Sequence, residues 1–403
     1  MNSVDLRSPI AAVCSEIGRG HPSYLDSVLL ALLRLAADSS LGHDPKSPSN
    51  PGHVPRLTVP ELCTGTSGLA WNLARTAYRL GGRGGPATWL YNRLRSADAK
   101  PSGLQLALLG SSLRRQFAGY NGICLVDHPL LAHILASVCR VAYVHGEIAA
   151  PGPAAVPDAW RTFVPLESTR QKLLAVGCQP SAVRVTGLII EPELTAVAET
   201  SLQARLARLE TGGQLTCGFF LSGARPRPHA HRIITAAASL VRAGHKAVFF
   251  WGHGMMRATK VQMALSHQGI PEESGRVIWT RSRRHETERT ADLFPNLDVF
   301  VAAAHERTNW AVGLGLPMFT LLPHIGPFAA ENFGFAQDQD VCLPISKLSD
   351  ADSLGTTLTE LRDSGRLARM ARNGWGRHAI SGADAAACTL QEELARIPVS
   401  VAR

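Results

Sequence analysis

Lysine is scarce. Only Lys46, Lys100, Lys172, Lys246, Lys260 and Lys347 occur in 403 residues, so arginine supplies nearly all of the 41 cations that outweigh 32 Asp and Glu and leave a formal net charge of +9. Arginine grips phosphate with paired hydrogen bonds, and a positive field draws anionic ligands or anionic lipid surfaces. A genome that writes arginine for lysine produces the same bias, and composition does not separate the two. Paired cysteines are missing as well. None of Cys14, Cys63, Cys124, Cys139, Cys178, Cys217, Cys342 and Cys388 falls in a C-x-x-C motif, which argues against a zinc site or a redox pair. Several lie in apolar runs, where a reduced thiol packs as a small hydrophobe, so a cytoplasmic setting is expected. A charged N-terminal region followed by an apolar core is absent, so no signal peptide is expected. No stretch approaches about 18 uninterrupted apolar residues, the minimum for a membrane span. The phosphate loop G-x-x-x-x-G-K-[ST], H-E-x-x-H and G-x-S-x-G are absent too. The basic segments lack the context of nucleic-acid-binding modules, so nucleic acid is not expected as a partner.

What remains is a globular composition, 45% apolar and 18% charged, long enough for two domains. Ile10 to Cys14 reads as a strand, Ser15 to Pro22 as a Gly-rich turn, and Ser23 to Ala37 carries apolar residues at helical spacing. That is the opening of an α/β nucleotide-type fold. Residues 38–60 read as a loop and 66–117 as amphipathic, Arg-rich helix. Strands are expected at Gly122–Asp127, Arg140–His145, Thr162–Pro165 and Val183–Ile190. A polar helical connector fills 191–213. A second series then starts, with strands at Leu215–Leu221, Lys246–Trp251, Arg276–Trp279, Val299–Ala303 and Pro317–Leu322. Alternating strands and helices imply parallel sheets. The expected fold class is therefore α/β, with two Rossmann-like domains, 1–195 and 196–403, facing a cleft. A last helix near Ala383–Arg396 is expected to pack back on the first domain. Ligands of such sheets bind beyond the carboxyl ends of the strands.

Candidate site residues lie at those ends. Gly18-Arg19-Gly20-His21 follows the first strand; its glycines allow close backbone approach, the helix behind it offers free N–H groups, and His21 can take a proton near neutral pH. A tight turn with a solvated histidine fits the same residues. His145 and Glu147, at another strand end of the first half, are acceptor-side candidates for proton transfer or orientation. In the second half, Ser222-Gly223-Ala224-Arg225 lies between strand and helix and suits a diphosphate. His305, Glu306, Arg307, Thr308 and Asn309 open the helix after Ala303, and Glu331 and Asn332 follow the next strand, where they suit sugar and ribose hydroxyls. Asp338-Gln339-Asp340 resembles a metal-binding D-x-D but comes after a late loop, so it reads as solvated surface. No metal and no resident cofactor are indicated.

Together these motifs resemble the GT-B glycosyltransferases, in particular the branch that holds monogalactosyldiacylglycerol synthase and the N-acetylglucosaminyltransferase of peptidoglycan lipid precursors. Gly18-Arg19-Gly20-His21 is similar to that branch's glycine-rich turn. Val164-Pro165-Leu166-Glu167-Ser168 with the following helix and Val185-Thr186-Gly187 resembles its last N-domain segment. Ser222 to Arg225 is similar to its opening C-domain turn, and Asp298 to Pro317 with Pro323 to Asn332 to its donor-binding end. The resemblance implies a metal-independent hexosyltransferase. It would bind a nucleoside-diphosphate sugar in the second half and an acceptor in the first, with His21 as base. Separately, Arg75, Arg79, Arg83, Arg93, Arg95, Arg114 and Arg115 share the stretch 66–117 with Trp71, Trp89 and Tyr91, opposed only by Asp98, which suits the anionic inner face of a membrane and a lipid acceptor; a solvated basic helical face fits the same residues. One position departs: Trp310 stands where many members carry a ribose-binding Glu, so either Glu306 serves that role or the donor differs. A nucleotide-sugar epimerase of the same fold, wanting several acidic groups in the cleft, and a non-catalytic binding protein are the alternatives.

Overall fold

The computed structural model describes residues 8–39, 54–85, 88 and 101–396. Strand β1 (Ile10–Cys14) is five apolar or small residues, every one buried, as a strand covered on both faces requires. It lies inside a six-stranded parallel sheet with β2 (Arg56–Thr58), β3 (Ile123–Val126), β4 (Arg140–Val144), β5 (Arg161–Val164) and β6 (Val183–Val185), in the order β2-β1-β3-β4-β5-β6. The second sheet holds β7 (Thr216–Phe220), β8 (Lys246–Phe250), β9 (Gly275–Val277), β10 (Val299–Ala302), β11 (Met318–Leu321) and β12 (Cys342–Ile345), ordered β12-β11-β10-β7-β8-β9. All pairings within both sheets are parallel. Each sheet is sandwiched between two apolar layers. These are two Rossmann-like domains that face each other across a cleft, the GT-B arrangement.

In each order the sheet grows one way from its first strand and then the other. The first switches between β1 and β3, the second between β7 and β10. At such a switch the neighbouring connections leave on opposite faces and open a crevice at the carboxyl ends.

Several elements differ from the sequence expectation. Residues 38–60, expected as loop, contain β2 and a short helix Val59–Leu62; a three-residue edge strand between prolines is too short to show alternation. Val183–Ile190 is a strand only to Val185, because Gly187 (φ 96°) turns the chain and Ile189 then bridges Ser381. The basic stretch 66–117 is not one helix: among its described residues are the separate helices Gly65–Gly81 and Gly103–Phe117, while Trp89, Tyr91, Arg93, Arg95 and Asp98 lie outside the described residues. Strand β12 and the helix Met255–His267 carry no expectation from sequence; β12 contains Pro344, which an edge strand accommodates.

The helix Gly382–Leu394 lies on Gly20–Ser39, where Ala383, Ala386, Ala387 and Leu390 complete the apolar layer under β1 and β3. Between the sheets, Pro192–Thr195 and Ala198–Thr211 cross to the second core.

Candidate active site

The two crevices meet in one cleft of about 890 Å³, open solvent at its mouth included. The first half lines it with Ile17 to His21 after β1, His128 after β3 and Glu147 after β4. The second half contributes Ser222 to Ala224 after β7, Ala303 and His305 to Arg307 after β10, and Ile325 to Phe328 after β11. Thus Gly18, Gly20, His21, Glu147, Ser222, Gly223, His305, Glu306 and Arg307 are brought together. His145, Arg225, Thr308, Asn309, Glu331 and Asn332 stand outside that lining.

The β1 turn is built for close approach. Gly18 has φ 70°, and a Cβ there would lie 2.9 Å from the Tyr78 hydroxyl. A Cβ on Gly20 would lie 3.1 Å from Glu306 Cβ, 3.2 Å from Glu306 Oε2 and 3.3 Å from Glu147 Oε1, so two carboxylates from opposite halves converge over this glycine. Buried Asp127 fixes the turn from below, accepting from Ser15 N at 2.9 Å and from Ser15 Oγ at 3.1 Å; burial lifts its pKa to about 6. His21 stands edge-on to His128 (centroids 4.9 Å apart) and to Phe328 (5.7 Å).

Beneath the cleft runs an ion-pair chain between the halves. Arg19 pairs with Glu286 and lies 3.6 Å from Glu306; Arg307 reaches Glu306 at 2.9 Å and Glu286 at 3.2 Å. Burial opposes the charge on Arg19, but Glu286 and Glu306 outweigh it and raise its pKa. Arg307 also lies over the Phe220 ring at 4.6 Å. Glu306 is thereby held in ion pairs, and burial is overcome by Arg307 and Arg19, which keep its pKa low. Glu147 goes the opposite way. Burial and then Glu306 push its pKa up to about 8, although Asn332 Nδ2 donates to it at 2.7 Å.

Of the remaining candidates, Asn309, Asn332 and Glu331 link the two halves. Asn309 donates to Gly146 O (3.0 Å) and Ile189 O (3.3 Å); Asn332 accepts from Ala149 N (2.9 Å). Glu331 pairs with Lys172 at the surface, and Thr308 is buried in the helix Thr308–Gly313. His145 is fully buried, between the Tyr143 hydroxyl (3.0 Å) and Ala149 O (2.9 Å), and burial lowers its pKa to about 4, which leaves it neutral behind the cleft wall. Trp310 packs edge-on to Phe220 and Phe294 and donates to Glu191 at 3.0 Å, while Ser23 of the first half donates to the other oxygen of Glu191 at 3.2 Å. Asp340 pairs with Arg366, away from the cleft.

Sequence reading missed Tyr78, Glu191 and Glu286. Arg19 and His128 lie inside motifs it named after the first and third strands, Gly18-Arg19-Gly20-His21 and Val126-Asp127-His128-Pro129, but it gave neither residue a role of its own. Glu191 and Glu286 lie in helical segments with no local mark; only the fold brings them to the cleft floor.

No protein-family model matches the chain, and no curated protein matches it by sequence. Solved structures do match along nearly the whole length. A Listeria monocytogenes protein assigned as a UDP-N-acetylglucosamine 2-epimerase superposes with TM-score 0.53 at 14% identity, covering 94% of each chain. The UDP-GlcNAc 2-epimerase of Neisseria meningitidis bound to UDP-GlcNAc gives 0.50 at 12%, covering 96% of this chain and all (100%) of that one. A UDP-glucose:anthocyanidin 3-O-glucosyltransferase in complex with UDP gives 0.50 at 12%, covering 97% and 99%. At these identities the likeness is one of fold, and the fold it supports is GT-B.

Proposed function

We propose that this chain is a nucleotide-sugar enzyme that transfers a sugar from a nucleoside diphosphate to an acceptor hydroxyl, as in the lipid-acceptor branch it resembles. The observation that carries the reading is the meeting of both switch points in one cleft, with His21 from the first half facing the Ser222–Ala224 and His305–Arg307 turns of the second. The donor lies against the second half, residues 196–403, and the acceptor against residues 1–195. His21 takes the acceptor hydroxyl proton, the oxygen attacks the anomeric carbon, and the bond from that carbon to the diphosphate breaks. Backbone N–H groups of the Ser222–Ala224 turn receive the leaving diphosphate. UDP is the first nucleotide to try, because structures with this fold hold UDP-GlcNAc or UDP.

The first half also has a surface suited to an anionic bilayer. Leu69, Leu73 and Leu80 are exposed on one helix and Leu104 and Leu108 on the next, and the same two helices carry Arg75, Arg114 and Arg115. Basic residues at an anionic leaflet contribute about 1 kcal/mol each. That supports peripheral attachment, with a lipid acceptor entering the cleft.

A second reading has its own support. Glu147 and Glu306 converge over Gly20 with opposite proton affinities, an acid–base pair of the kind needed to eliminate and re-add a nucleoside diphosphate in epimerisation. Incubation with radiolabelled UDP-sugars and a lipid extract separates the readings. Label in the lipid phase, lost in His21→Ala, supports transfer. Deuterium entering the sugar of recovered UDP-sugar in heavy water, with no labelled lipid, replaces transfer by epimerisation. UDP binding with neither product leaves a non-catalytic protein.

A further inference from the structure

Four arginines gather at the cleft mouth, two from each half. Arg79 lies in the last turn of the helix Gly65–Gly81 and Arg83 just beyond it; Arg225 follows β7; Arg257 is in the first turn of Met255–His267. Two backbone turns in direct contact bring them together. A Cβ on Gly82 would lie 2.3 Å from the Ala224 Cβ, one on Gly84 would lie 2.9 Å from Pro228 Cδ, and Arg227 N donates to Arg83 O at 3.0 Å. On the second half, Gly252 (φ +94°) is the point over which two guanidinium groups curl. A Cβ there would stand 3.3 Å from Arg257 Nη1 and 3.5 Å from Arg225 Nη2. Arg225 is itself held at φ 51°, a left-handed backbone that non-glycine residues rarely adopt.

Among the described residues no carboxylate pairs with any of the four. By contrast, Arg19, Arg56, Arg208, Arg283 and Arg307 each meet an Asp or Glu. Burial and then Arg257, Arg83 and Arg79 depress the pKa of Arg225, so the like charges act on one another across the two halves. Such a group is unfavourable until an anion sits among it, and guanidinium forks match phosphoryl oxygens in geometry and charge. Ser222, Gly223 and Ala224, immediately before Arg225, line the cleft, so a phosphoryl group among the arginines belongs to a molecule occupying it.

We propose that Arg79, Arg83, Arg225 and Arg257 grip a phosphoryl group of the substrate between the two halves of the chain. The site itself needs only the geometry above. Its source, either the donor's diphosphate or a phosphate carried by the acceptor, rests on reading the cleft as a nucleotide-sugar site.

Calorimetry on the full chain tests it with inorganic pyrophosphate and with UDP, in the wild type, in Arg79→Gln/Arg83→Gln and in Arg225→Gln/Arg257→Gln; the single Arg83→Gln serves if a pair fails to fold by circular dichroism. Pyrophosphate should bind the wild type, weaken with salt, and lose about tenfold in affinity in each pair, the effect of losing one or two charge-assisted hydrogen bonds. Unchanged binding in the first-half pair overturns the proposal, as does a wild type that binds neither ligand at low salt. If UDP displaces pyrophosphate, the group is the donor's diphosphate; if pyrophosphate still binds at saturating UDP, it is a phosphate on the acceptor. Because binding is read without turnover, a failure of the transferase reading leaves this result standing, and the reverse.

Discussion

Two sets of arginines join the halves of this protein, and they are built on opposite rules. At the cleft floor, Arg19 and Arg307 are buried and answered by Glu286 and Glu306. At the mouth, Arg79, Arg83, Arg225 and Arg257 lie nearer solvent and nothing described answers them. Charges removed from water must be matched within the fold. Charges left at a rim can wait for a ligand, and their mutual repulsion is the affinity held in reserve. Arginine as a residue type therefore says little here; the company it keeps separates a clamp from a receptor.

The strongest blow to this contrast falls on the floor. Glu286→Gln leaves Arg19 and Arg307 sharing fewer negative charges in a buried setting, and a broken buried pair typically costs about 3–5 kcal/mol. Urea unfolding at pH 7 should show that loss. A cost no larger than at the mouth would erase the distinction.

His21, at the edge of the floor, is expected to matter for rate rather than for stability. His21→Ala should slow transfer by about two to four orders of magnitude, the usual contribution of a general base, with UDP affinity kept. Near-normal turnover in a radiochemical assay would remove His21 from the mechanism.

Glu147 sharpens the picture through pH. Its folded pKa, about 8, lies above the ordinary carboxylate value of 4.5, so the native state holds a proton that the unfolded chain releases earlier. Stability should therefore fall as pH rises from about 4.5 and level off above about 8. Glu147→Gln mimics the protonated form and keeps the Asn332 contact. It should gain several kcal/mol over the wild type at pH 9 and nothing at pH 4, since each pKa unit between 4.5 and about 8 is worth about 1.4 kcal/mol. Melting curves across that range decide, and a pH-independent difference would contradict the assignment.

The smallest change is expected at the mouth. Arg83→Gln and Arg257→Gln, alone or together, should shift unfolding free energy by no more than about 0.5 kcal/mol without ligand, and toward stability if toward anything, because a repulsion is relieved. A loss of several kcal/mol in calorimetric unfolding would make these residues structural partners instead.

The fold was legible because β1, β3, β4, β7, β8 and β10 are short apolar runs ending in Gly-rich or polar turns, and two such series imply two sheets. The cleft lining was legible where it coincides with those turns, from Gly18 to His21, at Ser222-Gly223 and from His305 to Arg307. Residues that act through the third dimension were not. Nothing near Glu191 or Glu286 signals that each contacts the opposite half. His145, Asn309 and Asn332 look like ligand-binding residues in one dimension, yet they spend their hydrogen bonds inside the wall or across the domain boundary. Gly82 and Gly84 fall in the stretch read as one Arg-rich helix, while in space they are the contact that sets two arginine pairs face to face.

The polypeptide passes between the two halves twice, outward after β6 and back before the helix Gly382–Leu394, and the two passages are tied together. Leu188 N donates to Ala379 O at 2.7 Å, Gly382 N donates to Leu188 O at 3.1 Å, and Ile189 bridges Ser381 in antiparallel fashion. A methyl on Gly382 would come within 2.3 Å of Gly187 O, so the crossing admits no spacer. Two covalent tethers fastened at one place act as a door hinge and not as a length of string. They leave the halves one easy swing and oppose shear and twist, so any opening of the mouth must pivot on residues 187–189 and 379–382.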